Sequence, residues 1–303
     1  MSLLVAGTIA IDHVKTPIAE HVDLLGGSAA YAALSASFFS RPINLVGIIG
    51  HDYPQQHLDM LTSHGVTLEG VERSQSESFT WTGEYHDDMN SRTTHRVGLN
   101  VLEEWQPKIP ETLAGTKVLV LANMSPENQL TTLSQCPQAE LIIADTMDLW
   151  IAIARPQLEE MMKKIDVLVI NESEAREFTG TRNAVVAGET LLTYGPRFVV
   201  VKLGEYGALL FGSDGEFFRA GAYPLKEVAD PTGAGDCFLG GMAGYLMEQG
   251  LTKPTFQDLK AAALRGTIMA SFACEAFSTK RLESLNENLI AERLAELIRY
   301  SSL

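Results

Sequence analysis

The stretch from Asp230 to Tyr245, DPTGAGDCFLGGMAGY, decides the interpretation of this sequence. Gly233, Ala234 and Gly235 directly precede Asp236, where an apolar helix is predicted to begin. Residues this small leave their backbone amides accessible to an anion, and the helix points the positive end of its dipole at the same place. These features favour a cradle for a phosphate or for a phosphoryl group in transfer. Glycine spacing alone leaves a second interpretation open, a helix-starting turn with an acidic residue that stabilises the dipole.

The carboxylate of Asp236 has a defined task in the first interpretation. In the positive field of the helix end we expect it to stay ionised, which makes it a weak base. A loose phosphoryl-transfer transition state mainly requires that the attacking hydroxyl be oriented. An ionised carboxylate that accepts the hydroxyl proton late in the reaction is then sufficient.

The composition is that of a globular protein with a large core. The chain has 303 residues, of which 46% are hydrophobic, enough for one large domain or two modest ones. No apolar run approaches the roughly 20 residues that a membrane-spanning helix needs. The net charge of −15 argues against nucleic acid or an anionic membrane as a partner. Any polyanionic ligand must therefore be held by local positive charge.

The N-terminus and the cysteines favour a cytoplasmic protein. The start, MSLLVAGTIAID, lacks a basic leader and a small-residue cleavage site, so we interpret it as a strand and not as a signal peptide. Cys136, Cys237 and Cys274 are scattered and odd in number, which is typical of reduced thiols. No Cys/His cluster with zinc spacing occurs in the sequence.

Short apolar runs alternate with amphipathic stretches along most of the chain. The runs SLLVAG, INLVGIIG, KVLVLANM, AELIIADT, DVLVIN and RFVVVKLG are typical of buried strands, and a helix-like segment follows most of them. Near the C-terminus, three segments have helical patterns. This order predicts an α/β protein with a mostly parallel sheet.

One region departs from that pattern. Between residues 78 and 97 the side chains alternate with period two around the turn residues HDDMN, which predicts an inserted antiparallel hairpin. Residues 12–25 add two further short strands to this prediction. We expect one domain, residues 1–303, with a lid formed by about 12–25 and 76–104. The candidates for covering a substrate or for making dimer contacts are Trp81, Tyr85, Arg92 and His95.

Four segments occur in an order and spacing that identify a family. DPTGAGDCFLGGMAGYL is similar to its C-terminal signature, LLGGSAAYAALSASFF to its N-terminal GG-x-x-x-x-A signature, NESEA to its N-x-x-E motif and VKLGEYGALLF to its nucleotide-side strand and turn. Together they resemble the ribokinase (PfkB) family of carbohydrate and nucleoside kinases over nearly the whole chain. The resemblance implies a ribokinase-like three-layer α/β/α fold with a mostly parallel central sheet and a small β-sheet lid.

The resemblance also implies roles on the nucleotide side. Asp236 is the implied catalytic base and the amides of Gly233, Ala234 and Gly235 the implied anion hole, with Asn171 and Glu174 organising Mg²⁺ largely through water. The same two residues have an alternative interpretation as the cap and first turn of a helix. The remaining implied residues are Lys202, Gly204 and Thr232 for ATP and Asp230 for a monovalent cation such as K⁺.

On the acceptor side, the resemblance implies that Asp12 binds substrate hydroxyls and that Gly26 and Gly27 let the backbone approach the substrate. Many sugar kinases carry Asn where this chain has Tyr31, so the sequence departs from a plain sugar pocket. Tyr31 fits either stacking on a bulkier acceptor such as a nucleoside or a place in the core. Asp145, at the end of a strand, is a further candidate for the substrate pocket.

These features predict a phosphotransferase that uses ATP and Mg²⁺ and has an alcohol acceptor, a CH₂OH group of a sugar or nucleoside. The alternative is a sugar- or nucleoside-binding regulator without turnover, which has no need for both Asp236 and Glu174. A nicotinamide dehydrogenase is disfavoured because no GxGxxG follows the first strand. The exposed hairpin also predicts a homodimer through the lid.

Overall fold

The structure, a computed structural model, describes residues 2–301. The strands of this part of the chain are β1 (Leu3–Ala6), β2 (Ala10–Lys15), β3 (Glu20–Gly26), β4 (Ile43–Ile49), β5 (Val66–Arg73), β6 (Phe79–Tyr85), β7 (Arg92–Gly98), β8 (Val118–Leu121), β9 (Leu141–Asp145), β10 (Val167–Asn171), β11 (Phe198–Lys202), β12 (Ala208–Gly212) and β13 (Phe217–Ala220). The α-helices are α1 (Ser28–Ala36), α2 (Gln55–Ser63), α3 (Pro126–Ser134), α4 (Asp148–Ile153), α5 (Arg155–Met162), α6 (Glu172–Thr179), α7 (Ala184–Leu192), α8 (Ala234–Glu248), α9 (Phe256–Ala273) and α10 (Glu287–Ser301).

A central sheet contains nine of these strands, in the order β13-β12-β11-β10-β9-β8-β1-β4-β5. The pairings from β11 to β5 are parallel, and β12 and β13 are added antiparallel at one end. The predicted mostly parallel sheet is therefore confirmed. In its parallel part all strands end at the same edge, where ligands bind in open α/β sheets.

Helices cover both faces of the central sheet, which confirms the three predicted layers. Successive side chains of a strand point to opposite faces, so Leu3 and Val5 of β1 lie in one core and Leu4 and Ala6 in the other. The first core also contains residues of α1, α2, α8, α9 and α10. The second contains residues of α3 to α7.

Helices α1 and α8, from the two signature segments, pack backbone against backbone. A β-carbon on Gly240 would lie 2.1 Å from the carbonyl oxygen of Ala32, and one on Gly244 would lie 2.6 Å from that of Ala36. The two contacts advance in the same direction along both helices, so the helices run parallel. Small residues are needed at this interface because the helices approach so closely. Their N-termini therefore lie at the same end of the molecule.

A second sheet has four strands in the order β3-β2-β6-β7. It contains the predicted hairpin, β6 and β7, and the two short strands expected between residues 12 and 25, β2 and β3. The β2–β3 and β6–β7 pairs are antiparallel, whereas β2 and β6 are joined in parallel. That this sheet acts as a lid stays a prediction.

The regular alternation expected for the hairpin is wrong at His95. The residues of β7 that pair with Thr82 and Gly83 are two positions apart, so His95 is an extra residue in a β-bulge. Strict alternation would place Arg92 and Arg96 on the same face of the hairpin. The bulge instead places them on opposite faces.

Across residues 2–301, none of the helices combines the length and the apolar character required to cross a bilayer.

Candidate active site

The carboxyl ends of the parallel strands bring several predicted residues together. Asp145 ends β9, Asn171 ends β10 and Lys202 ends β11. Asn171 pairs with Lys202, and Asp145 pairs with Val169, two residues before Asn171. The three side chains therefore lie at one edge of the sheet, the usual position of a ligand site in this architecture.

Helix α8 begins with the glycine turn. Gly233 has a φ of 74°, and a β-carbon on it would lie 2.6 Å from ring atoms of Tyr31, so both its backbone conformation and its contact favour glycine. The backbone N–H groups of residues 233, 235 and 236 have no acceptor within residues 2–301, whereas Ala234 donates to the carbonyl of Pro231 at 3.2 Å. The amides at Gly233 and Gly235 are thus available to an anion. The resemblance also implies the Ala234 amide as part of the anion hole. In the structure this N–H group already donates to Pro231, so it is not free for an anion.

The ammonium group of Lys202 lies over the start of α8. A β-carbon on Gly235 would lie 2.8 Å from the Nζ of Lys202, so the absence of a side chain at this position leaves room for the ammonium group. A cation beside accessible amides and a helix N-terminus concentrates positive charge at one point. This geometry favours the anion-binding interpretation of the turn over the purely structural one.

Asp236 lies half-buried in the first turn of α8. Desolvation by the surrounding protein raises its pKa to about 6, against the opposing effects of Lys202 and Arg92. This pKa is higher than the sequence interpretation expects, because loss of water outweighs the two cations. At pH 7 the carboxylate is still mostly ionised, and it is a stronger base than an exposed aspartate.

Asn171 and Glu174 form a capping box at the start of α6. Glu174 N–H donates to Asn171 Oδ1 at 2.9 Å, and Asn171 N–H donates to Glu174 Oε2 at 3.0 Å. Burial raises the pKa of Glu174, and Lys202 opposes that rise. The helix-capping interpretation of this motif is therefore correct. It leaves Glu174 Oε1 without a hydrogen bond inside the described chain and so available to a ligand.

Asp145 is buried at the edge of the sheet. Its Oδ1 and the neighbouring Thr146 Oγ1 have no hydrogen-bond partner among residues 2–301. Burial and the charge of Asp236 raise the pKa of Asp145 well above its ordinary value, and Lys202 opposes them. Buried polar atoms are normally paired, so these two indicate a place that a polar ligand or water occupies.

Asp12 lies in β2 and is 4% exposed. A β-carbon on Gly26 would lie within 2.3 Å of its carboxylate oxygens, so Gly26 makes room for this carboxyl group. Burial, followed by the charges of Asp230 and Asp236, raises the pKa of Asp12 to about 8. No donor within residues 2–301 makes a hydrogen bond to the Asp12 carboxyl group, so it is available to the hydroxyls of a ligand.

Two predicted acceptor residues are packed inside the protein. Tyr31 is 1% exposed, with its ring against Gly233, so it supports the glycine turn before α8 and offers no surface for stacking on a substrate. Gly27 has a φ of 91°, and its missing side chain makes room for the backbone of residues 8–10. The structure therefore favours the core interpretation of Tyr31. The space beside Gly27 is filled by the backbone of residues 8–10 and is not open to a substrate.

Asp230 has no exposed surface and organises the turn before α8. Its carboxylate accepts hydrogen bonds from the N–H groups of Thr232 at 2.9 Å and Ser278 at 3.1 Å. The hydroxyl of Thr232 is buried without a partner of good geometry in the described chain. A cation role for Asp230 stays a prediction.

The hairpin reaches the turn that follows β11. A β-carbon on Gly204 would lie 3.1 Å from Asn90 Oδ1, in the turn between β6 and β7. Tyr85 is buried beside Thr232, and Trp81 is half-buried. His95 does not take part in these contacts. Its Nε2 lies 3.0 Å from Glu84 Oε2, and the other oxygen of Glu84 is paired with Lys15.

Sequence reasoning missed two residues at the site. The hydroxyl of Tyr53 is buried without a partner in the described chain, and the charge of Asp12 acts on it. Asn123 follows β8 at the carboxyl edge, and its Oδ1 accepts from Trp150 Nε1 at 2.9 Å. A polar residue directly after the apolar run KVLVLA is a signal for Asn123, whereas nothing in the local sequence distinguishes Tyr53.

Known proteins resemble this chain in sequence and in structure. A cytidine kinase of Thermococcus kodakarensis is 31% identical over 250 residues, which cover 81% of this chain and 88% of that protein. Among solved structures, a nucleoside kinase of Burkholderia thailandensis in complex with inosine has a TM-score of 0.78 at 19% identity and covers 97% of both chains. An E. coli protein assigned as ribokinase II, solved with ATP and Mg²⁺, has a TM-score of 0.79 at 16% identity and covers 99% of both chains.

The structural likenesses establish the ribokinase-like fold, and the sequence comparisons establish the family. The model of the pfkB family of carbohydrate kinases matches residues 15–284, which include both signature helices and the strands β3, β6 and β7 of the second sheet. The predicted kinase activity is confirmed at the level of phosphotransfer to an alcohol acceptor. The chain therefore belongs to the pfkB family of carbohydrate kinases.

Proposed function

We propose that this protein transfers the γ-phosphoryl group of ATP to the CH₂OH group of a nucleoside. One observation carries the proposal: accessible amides of Gly233 and Gly235 lie beside the Lys202 ammonium group, next to the carboxylate of Asp236. The first two features bind an anion, and the third accepts a proton. A kinase with an alcohol acceptor needs these groups together.

The site residues divide between orienting and reacting groups. Asp12 accepts hydrogen bonds from the hydroxyls of the substrate that is phosphorylated. These hydroxyls supply the donors that the buried carboxyl group lacks in the described part of the chain. Asp236 orients the attacking hydroxyl and takes its proton as the new oxygen–phosphorus bond forms. The Gly233 and Gly235 amides donate to the phosphoryl oxygens, and Lys202 offsets their charge.

The residues present fit a hydrated Mg²⁺ ion. Within residues 2–301, no group of three or more His, Cys, Asp or Glu side chains forms a metal cage. Magnesium in such sites keeps several waters and takes few protein oxygens, so Glu174 Oε1, which has no partner in the described chain, matches its needs, with Asn171 beside it. When bound, Mg²⁺ neutralises phosphate charge and orients the phosphate chain.

The comparisons support a nucleoside as the acceptor. The relative that is 31% identical over most of its length is named a cytidine kinase, and a second relative, from Methanothermobacter thermautotrophicus, is named a nucleoside kinase at 25% identity. Free sugars remain the second candidate, because relatives named ribokinase and deoxyribokinase also match. Both classes present a CH₂OH group to the same pair, Asp12 and Asp236.

The test is a turnover assay with purified protein, ATP and Mg²⁺ against cytidine, inosine, adenosine, uridine, ribose and fructose, with ADP release and product mass as readouts. We expect a phosphorylated nucleoside as the best product. A best product from a free sugar would contradict the nucleoside assignment alone. Ligand-induced thermal stabilisation by a nucleoside with no phosphorylated product from any compound would favour the non-catalytic regulator.

A further inference from the structure

We propose that Arg92, on the lid hairpin, is a catalytic residue that binds a non-bridging oxygen of the transferring phosphoryl group together with Lys202. The inference rests on the proposed kinase activity and adds a residue that no local sequence motif marks. Four features support it: the face of the hairpin, the position of the hairpin tip, the charges around Arg92 and the freedom of its guanidinium group.

The β-bulge sets the face on which Arg92 lies. Arg92 is the direct cross-strand partner of Tyr85, and directly opposed residues share a face. Tyr85 is 9% exposed and lies beside Thr232 in the turn before α8, so this is the face that covers the site. Trp81 Nε1 donates to Thr94 Oγ1 at 3.3 Å on the same face. The extra residue at the bulge turns Arg96 to the other side.

The hairpin tip lies over the strand that carries Lys202. The missing side chain of Gly204 leaves a gap in which a β-carbon would lie 3.1 Å from Asn90 Oδ1. Gly204 is two residues after Lys202, and Asn90 is two residues before Arg92. The contact therefore brings the start of β7 close to the end of β11 and to its ammonium group.

The electrostatic effect of Arg92 on two carboxyl groups indicates that it lies near the proposed site. Its guanidinium group lowers the pKa values of both Asp236 and Glu174, as Lys202 also does, although burial raises each of them more strongly. Asp236 belongs to the acceptor side of the proposed site, and Glu174 belongs to the magnesium side. A cation that acts on both carboxyl groups lies within electrostatic reach of both sides of the proposed site.

The guanidinium group is free to bind a ligand. Arg92 is exposed and makes no salt bridge within 4.0 Å to an acidic side chain of residues 2–301. The surrounding chain carries a net charge of −15, so ATP must be neutralised locally. Arginine suits this task because its planar fork of N–H donors matches phosphate oxygens and keeps its charge.

The chemical step needs no additional reactant. The acceptor oxygen forms a bond to the γ-phosphorus while the bond from that phosphorus to the bridging oxygen of ADP breaks, and ADP leaves with the electron pair. The hydroxyl proton passes to Asp236. Arg92 exchanges no proton; it donates hydrogen bonds to the phosphoryl oxygens and offsets charge that shifts during the transfer. Arg92 belongs to the site because the hairpin that carries it lies over the turn after β11 and over Thr232.

The test compares Arg92→Ala and Arg92→Lys with Arg96→Ala, a matched control that removes the same charge from the same strand on the opposite face. With ATP, Mg²⁺ and the best nucleoside of the panel, we expect Arg92→Ala to lower kcat about 100-fold, the range of a removed charge-stabilising donor. Arg92→Lys should recover part of the loss, since it keeps the charge without the fork. Arg96→Ala should stay within about 2-fold of wild type.

A second readout is independent of turnover. Thermal stabilisation by ADP, Mg²⁺, the nucleoside and aluminium fluoride, which imitates the phosphoryl group in transfer, should be smaller in Arg92→Ala than in wild type. Stabilisation by ADP and Mg²⁺ alone should be equal. If wild type is active and Arg92→Ala keeps more than half of its kcat, only the assignment of Arg92 fails. If wild type phosphorylates none of the acceptors, the proposed function and this assignment fail together.

Discussion

Replacing Asp12 with Asn should stabilise the ligand-free protein while it removes acceptor binding. The Asp12 carboxyl is 4% exposed and lacks a hydrogen-bond donor in the described chain, and its pKa is raised from 3.8 to about 8. In the unfolded chain the same group ionises above pH 3.8 and gains full hydration. The ionisable carboxyl therefore favours the unfolded state as the pH rises.

The magnitude follows from the linkage between proton binding and folding. The contribution of Asp12 to stability is fully present below pH 4 and is lost progressively up to pH 8. At 1.36 kcal/mol per pH unit, the loss at pH 7 amounts to about 4 kcal/mol, and at pH 5 to less than half of that. Asparagine has no proton to lose, so Asp12→Asn should be more stable than wild type by about 4 kcal/mol at pH 7. For a chain of this length that is a rise of about 6 °C in Tm.

The assay is urea unfolding of both proteins at pH 5, 6, 7 and 8 without ligand, followed by circular dichroism. Comparing the variant with wild type at each pH separates Asp12 from the other buried carboxyls, which titrate in both proteins. Asp214→Asn, which changes an exposed turn residue, is the matched control and should show no pH-dependent difference. A stability difference between Asp12→Asn and wild type that is the same at pH 5 and pH 8 would refute the burial argument. The variant should also lose thermal stabilisation by the nucleoside.

Three further predictions concern the reaction itself. Asp236→Asn should lower kcat by more than 100-fold, because the amide keeps the shape of the side chain but accepts no proton. ADP binding, measured by calorimetry, should stay nearly unchanged. Activity above a few per cent of wild type would contradict the role of Asp236 as base. The pH profile of kcat/KM should fall below about pH 6, where Asp236 becomes protonated; a rate independent of pH between 5 and 8 would argue against this base. Glu174→Gln should raise the Mg²⁺ concentration needed for half-maximal rate. Glu172→Gln, which changes a half-buried residue of the same helix turn that is paired with Arg176, should not. Identical magnesium titrations would exclude Glu174 from the metal site.

Several features of the site could be predicted from the sequence because they are local. The glycine turn and Asp236 lie within one segment, and their proximity needs no tertiary contact. The N-x-x-E spacing of Asn171 and Glu174 predicts a helix start, which the capping box shows. Alternation of period two predicts the hairpin, and apolar runs separated by helices predict the parallel sheet.

Some features could not be predicted because they depend on contacts between distant segments. Tyr31 fits a pocket or a core by sequence, and only its contact with Gly233, about 200 residues later, places it in the core. The raised pKa of Asp12 arises from burial among Asp230 and Asp236, which are equally distant in sequence. The edge strand β5 and the short strand β13 lack a clear pattern of their own and form by pairing with their neighbours.

The sequence by itself determined which chemical groups the protein has and which short segments hold them: a glycine turn before a helix, a carboxylate beside it and a polar hairpin inserted in an α/β chain. The tertiary structure decided which groups meet. The parallel sheet ends bring Lys202 to Gly235, and one extra residue in a strand places Arg92 on the side of the site and Arg96 on the opposite side. The physical reason is that distance and burial set charge interactions and desolvation, and neither quantity can be obtained from residue order before the chain folds.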